Sequence, residues 1–415
     1  MRFLVLLTAT SALLMTSCQP KNETPAAAEL KAGIWRGIIH REDQELPFTF
    51  RITNDSGNYK AYLQNAGEEI LLDEITVSGD SVEMHLHIFD ASLKAKIEND
   101  KLNGTFVKYY AQEANQPFTA TYGENYRFTA NDKNVAQPDY TGKYQLTFRA
   151  ENDSYPSVGM FQQDGNHLTG SFLTPTGDYR YLEGNVVDGK MKLSTFDGNH
   201  AYIFIASMQG DSLKGDFYAG KSAHESFGGV KNDKAEMPDA ESLTLLKPGY
   251  EKLEFSFPDL NGNKVSLTDE RFKNKVVILQ MFGTWCPNCM DETKFLVPWY
   301  NANKDRGVEI LGLAYERKDD FNYAKERIEK MKAKLNVSYD FVIAGVNDKE
   351  KASLTLPALN KVVAFPTTIF VGKDGKVKYI HTGFEGPGTG IYYEQFQERF
   401  NQIVNELLAQ TVKDR

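Results

Sequence analysis

Cysteine is scarce in this chain: only Cys18, Cys286 and Cys289 occur among 415 residues. A structural zinc centre usually needs four ligands, and no second Cys pair exists to complete one, which argues against Cys286 and Cys289 being half of a zinc site. Positive charge is also short. The formal net charge is −9 and no basic block occurs anywhere, which argues against nucleic-acid binding. The leading apolar stretch, residues 3–14, is too short to span a bilayer. Otherwise the hydrophobic fraction of 41% and charged fraction of 25% are those of ordinary globular protein, long enough for two to four domains.

What is present centres on residues 275–292, KVVILQMFGTWCPNCMDE. Residues 276–282 are β-branched and apolar enough for a strand buried on both faces. Gly283 lets the chain turn, and Pro287 suits the first turn of a helix because its missing N–H would have had no partner there. Cys286 is therefore expected at a helix N-terminus. Unpaired backbone N–H groups and the helix dipole favour a thiolate at that place, where Cys-x-x-Cys thiols commonly have pKa values of roughly 3.5 to 7.5. Such a thiolate attacks disulfides near neutral pH. Cys289, one turn later on the same face, is placed to displace the mixed disulfide. The plain alternative is two unrelated core cysteines.

At the front, Arg2 and the apolar residues 3–14 read as a signal peptide covering residues 1–17. Met15-Thr16-Ser17-Cys18 resembles the lipobox of bacterial lipoproteins, with Met15 where Leu is usual. That resemblance implies lipidation of Cys18, which would leave Cys286 and Cys289 as the one remaining pair. A conventionally cleaved signal with an incidental Cys18 is the alternative. Residues 18–29, polar and Ala-rich, read as a tether.

From residue 30 to about 233, short runs of alternating polar and apolar residues are punctuated by Gly, Asn and Asp, an all-β antiparallel pattern. It occurs twice. GIWRGII at Gly33 answers GKYQLTF at Gly142, and Phe89-Asp90 answers Phe196-Asp197 at nearly the same offset. We expect two repeated β-units, residues 30–130 and 138–232, each the size of a small sandwich or barrel. His85 and His87, two apart in a strand-like run, would share a face as zinc ligands sometimes do, but surface residues are the simpler reading. Tyr109, Tyr110, Tyr179 and Tyr181 are read as core and cross-strand packing rather than a ligand surface. The units are expected to be a spacer or docking module. A linker, residues 233–249 with Pro238 and Pro248, follows.

Residues 250–415 are expected to fold as an α/β domain. The segment FSFPDLNGNKVSLTDERFKNKVVILQMFGTWCPNC resembles the opening of the TlpA/ResA branch of the thioredoxin superfamily. Downstream, the pattern predicts strands at 308–314 and 339–344 with a helix at 319–334 between them. Strands at 367–371 and 376–381 flank an Asp374-Gly375 turn, and a helix begins near 392 with an apolar stripe from Phe396 to Leu408. The resemblance implies a cis bond at Phe365-Pro366 facing the cysteines, substrate positioning by Trp285, Pro287, Phe365 and Pro366, and proton transfer to or from Cys289 by Glu292. Gln280 stands where thioredoxin has a buried Asp, which shifts that burden to Glu292. Lys294 stands where relatives carry a helix-kinking Pro, and the next Pro is Pro298.

The resemblance implies a membrane-anchored, periplasm-facing protein-disulfide reductase of the bacterial cell envelope. It would need no cofactor or metal, would act on disulfides of exported proteins, and would be recharged by a membrane reductant-transfer protein. Two other readings are open to the sequence. One is a ligand-binding surface lipoprotein with an accessory redox domain. The other is a peroxiredoxin-like peroxidase, disfavoured because Gly283 occupies the place of the required Thr and Leu279 that of the required Pro.

Overall fold

The computed structural model describes residues 29–130 and 138–411. The expected signal peptide, Cys18 and all but the last residue of the tether lie outside the described residues. Among the described residues no helix is long and apolar enough to cross a membrane. The molecule is multidomain and mostly β, with two barrel-like sheets followed by an α/β domain.

The first sheet has nine strands between Gly33 and Tyr122; numbered along the chain, they lie in the order 4-3-2-1-9-8-7-6-5. Side chains alternate with the pleat. In the opening strand Gly33–His40, Trp35, Gly37 and Ile39 are buried while their neighbours are not. This sheet curls but stays split between Glu68–Leu72 and Ile75–Ser78.

The second sheet also has nine strands, in the order 2-1-9-8-7-6-5-3-4, and strands 2 and 3 pair as well. That pairing closes a ring and leaves the two-residue strand Gly177–Asp178 hanging from its rim. An aromatic core of Phe148, Phe172, Tyr179, Phe204, Phe217 and Phe227 fills the ring. The two sheets share a core at their junction, where Phe196 of the second packs 4.6 Å from Phe48 and 5.1 Å from Phe106 of the first. Arg127, buried there, donates to Pro47 O and pairs with Glu183 at 3.0 Å.

The linker is not free. Ala235 is buried, Glu241 pairs with Arg399 at 2.6 Å, and Leu246 bridges to Leu359. In the domain that follows, five strands lie in the order Asp340–Val346, Val308–Glu316, Val276–Phe282, Thr367–Val371 and Val377–Thr382. The first three are parallel, as expected for helical crossovers; Thr367–Val371 runs antiparallel to them, and the Asp374-Gly375 turn reverses the chain again into Val377–Thr382. Val276–Phe282 is buried along its whole length, which explains its unbroken apolar composition.

Helix α1 (Pro287–Asn303) follows that central strand and helix α2 (Phe321–Leu335) follows the next. A short helix α3 (Lys349–Thr355), not anticipated, precedes the Pro366 turn, and α4 (Ile391–Ala409) closes the chain with Phe396, Phe400, Ile403, Val404 and Leu407 inward. Despite Pro298, α1 is continuous.

His85 and His87 are corrected. His85 ends a strand, whereas His87 has a φ of +54°, so the pair does not present one strand face, and both are half-buried rather than freely exposed. Burial and nearby lysines lower both pKa values, His87 to about 4. No group of three or more possible metal ligands occurs among the described residues.

Candidate active site

Gly283 ends the central strand because nothing larger fits: a Cβ there would lie 2.1 Å from the Trp285 indole nitrogen. The indole folds back and donates to Tyr315 O at 2.8 Å. The lead-in is fixed from below by buried Glu316, which accepts from Thr284 N at 2.8 Å and Thr284 Oγ1 at 2.9 Å.

Cys286 then caps α1 from extended backbone, its Sγ accepting from Cys289 N at 3.2 Å, with Pro287 in the first turn. A free backbone N–H aimed at Sγ is the feature that stabilises a thiolate. The two cysteines are disulfide-bonded, with Cα atoms 5.2 Å apart. Cys286 is 5% exposed and Cys289 fully buried. The Phe365-Pro366 bond is cis, and Phe365 O lies 3.5 Å from Cys286 Sγ. The Phe365 ring meets Trp285 edge-on at 5.8 Å.

Behind the disulfide, Glu292 is fully buried on α1. Burial pushes its carboxyl up to about 7, against hydrogen bonds from Thr368 Oγ1 and from Gln280 Nε2 at 2.8 Å. Gln280 also lies 3.5 Å from Cys289 O and accepts from Tyr339 OH at 3.1 Å. The Gln280 amide, where thioredoxin has an Asp, thus holds the Glu292 carboxyl. His381, buried nearby, pairs with Glu385 at 3.0 Å. Burial opposes its charge, but Glu385 outweighs that and keeps the imidazole above its ordinary value.

The front of the motif is covered by the β-sheets. Asn199 donates to Trp285 O at 3.0 Å, Arg180 donates to Pro287 O at 3.1 Å, and Asn288 donates to Asp178 O at 3.0 Å. Gly177, with a φ of +126°, is required here, since a Cβ would lie 2.5 Å from Asn288 Nδ2. From the first sheet, Ile88 and Phe89 join the apolar core of the α/β domain, and Tyr110 stacks 3.6 Å from the Arg317 guanidinium, which also faces Trp285.

All the site residues named from sequence within 285–366 therefore lie together, whereas Cys18 lies outside the described residues. Sequence reading missed Thr368, Glu316, His381, Asp178, Arg180 and Asn199. Thr368 was within reach, two residues beyond the proline. The last three are separated from the cysteines by about ninety residues or more and carry no local signal.

This arrangement is built for exchange between a dithiol and a disulfide, and it puts the C-terminal domain in the thioredoxin-like class of thiol-disulfide oxidoreductases. A family model described as Redoxin matches residues 233–395. The thiol-disulfide oxidoreductase ResA of Geobacillus kaustophilus is 31% identical over 140 residues, covering 34% of this chain and 72% of that one. ResA of Bacillus subtilis is 28% identical over 138 residues, covering 33% and 69%. The chain belongs to this ResA-like family of the thioredoxin superfamily and is a thiol-disulfide oxidoreductase. Among solved structures, the thioredoxin domain of a thiol-disulfide oxidoreductase from Bacteroides vulgatus is 28% identical, covering 37% of this chain and 99% of that one, with a TM-score of 0.28.

Proposed function

We propose that the enzyme works as a reductase, tethered in a bacterial envelope through lipidated Cys18 and acting on disulfides of exported proteins. The observation that carries this reading is the buried Glu292 carboxyl, titrating near 7, on the helix that bears Cys289 and held by a side chain that also approaches Cys289 O.

The Cys286 thiolate attacks one sulfur of the substrate disulfide. A mixed disulfide forms and the other substrate sulfur leaves as a thiolate, which takes a proton from solvent. Cys289 passes its proton to Glu292 and attacks Cys286 Sγ, breaking the mixed disulfide. The second substrate thiolate leaves and is protonated in turn. The substrate has gained two electrons and two protons, and the enzyme is left with the Cys286–Cys289 disulfide. A membrane reductant-transfer protein, itself a dithiol, returns it to the reduced state. Trp285, Pro287, Phe365 and cis-Pro366 position the substrate, whose extended backbone pairs at Phe365.

We also read the two sheets as copies of one unit. Supporting this, GIWRGII and GKYQLTF each form the first strand of a nine-stranded sheet, and each lies between the second and the last strand.

A Cys289→Ser variant expressed in a bacterial envelope is expected to retain exported proteins on Cys286 as mixed disulfides, and the wild type to reduce insulin with a dithiol as donor. Failure of both would sink the reductase reading.

A further inference from the structure

Arg180 is the residue of the β-region with the most direct hold on the redox motif. Its guanidinium is buried and reaches across the domain boundary. Nη1 donates to Pro287 O, the carbonyl between the two cysteines, at 3.1 Å and pairs with the Asp291 carboxylate in α1. Nη2 pairs with Glu68 of the first sheet, and Nε lies 3.5 Å from Asp197 without a hydrogen bond of its own. The backbone is committed to this reach: Arg180 has a φ of +60°, a left-handed conformation uncommon for a side chain of this size, and its N–H is tied to Asp178 Oδ1 at 3.1 Å.

Three parts of the chain therefore meet on one cation at the N-terminal end of α1, where the thiolate forms. We propose that Arg180 is a positioning residue of the redox centre, reaching from the second β-sheet to fix the Pro287 carbonyl and to offset the carboxylates around Cys286, so that the β-region sets how readily Cys286 ionises and how reducing the pair is.

The charge balance around the motif gives the sign. On α1 stand Asp291, Glu292 and Lys294, the last paired to Asp291 at 3.1 Å. The second sheet contributes Asp178, Asp197 and His200, with His200 paired to Asp197 at 3.1 Å, and the first contributes Glu68 and Lys108. Glu316 and Arg317 lie beyond Trp285, and His381 with Glu385 behind Glu292. Carboxylates outnumber cations, and Arg180 is the cation that touches the motif's own backbone. Removing it exposes the thiolate to Asp291, Glu68 and Asp197, which disfavours ionisation. A less stable thiolate shifts the couple toward the disulfide.

This inference rests on the dithiol being the working pair. The test uses the full chain. The pH midpoint of iodoacetamide alkylation is read at the Cys286 peptide in a Cys289→Ala background, and dithiol-disulfide equilibrium with glutathione is read with both cysteines present. For Arg180→Gln the midpoint is expected to rise by about one pH unit. The equilibrium should move about tenfold toward the disulfide, equivalent to about 30 mV. Arg180→Lys, which keeps the charge but not the fork, is expected to fall between. Asp291→Asn removes a carboxylate, so its midpoint should fall, which decides the matter if Arg180→Gln does not fold. Midpoints indifferent to both sites, or moved the same way by both, overturn the proposal. A wild type that never exchanges with glutathione overturns instead the oxidoreductase reading beneath it.

Discussion

Asp291 and Glu292 are neighbours on one helix and buried alike, yet they meet opposite environments. About 100° of rotation separates consecutive helical residues. Asp291 turns toward the β-sheets and meets the Arg180 guanidinium and Lys294, whereas Glu292 turns inward and meets a hydroxyl and an amide. Neutral donors only soften the penalty of burial, so Glu292 titrates near 7. The lesson is that burial alone does not make an acid useful for proton transfer; the partner does. Asp178 sharpens the point from within the charged cluster. It accepts from the backbone N–H of Arg180 and, at 2.7 Å, of Gly386, and burial pushes it up to about 7 although Arg180 is close.

The strongest way to break the contrast is Glu292→Gln. A general acid-base group contributes roughly 10²-fold or more. The variant should therefore lose about that much in turnover of a protein disulfide, together with the inflection near pH 7 in its pH-rate profile. An unaltered profile would return Glu292 to a purely structural part.

Stability against pH gives the next effect. Both Glu292 and Asp178 have folded pKa values raised from the ordinary carboxylate range to about 7. Between those values the folded state binds the extra proton, so each acid's contribution is fully present at low pH and is lost as pH rises through about 7. In urea unfolding, the stability of Glu292→Gln or Asp178→Asn relative to wild type should grow by about 3 kcal/mol from about pH 4.5 to about pH 7.5.

Gly177→Ala attacks only the β-sheet side. The positive φ and the close Asn288 amide make a Cβ unwelcome, and a loss of about 1–2 kcal/mol in urea unfolding is expected, with the inflection of Glu292 unmoved. The smallest effect belongs to Thr368→Val, which removes a donor to the carboxylate and should move the inflection upward by about half a pH unit.

How much of this was legible beforehand follows from the range of the forces involved. The motif, its helix and the residues near Pro366 are local patterns: a Pro in a first turn, an apolar strand, an Asp-Gly turn. These residues carry their conformation with them. Glu292 was legible because α1 holds it at a fixed spacing from Cys289. Gln280 was seen only as a missing acid, since nothing in sequence shows that Tyr339 would orient its amide toward Glu292. The β-region was legible as strands but not as a neighbour of the site. Arg180 lies in a run of polar turn residues that local rules assign to a solvated hairpin, and its burial depends on three carboxylates brought from both sheets and α1. The histidines failed for a related reason: a pleat argument cannot foresee that His87 leaves the strand through a left-handed turn.

The two-residue strand on the rim of the second ring bears on how the β-region is coupled to the motif. A sheet that has closed on itself offers no edge, so a surplus strand must point away, and here residues 177–181 point at the cysteines. The buried residues of this finger leave it little slack, so any change in its shape is passed to the motif through Asp178 O and the Arg180 guanidinium.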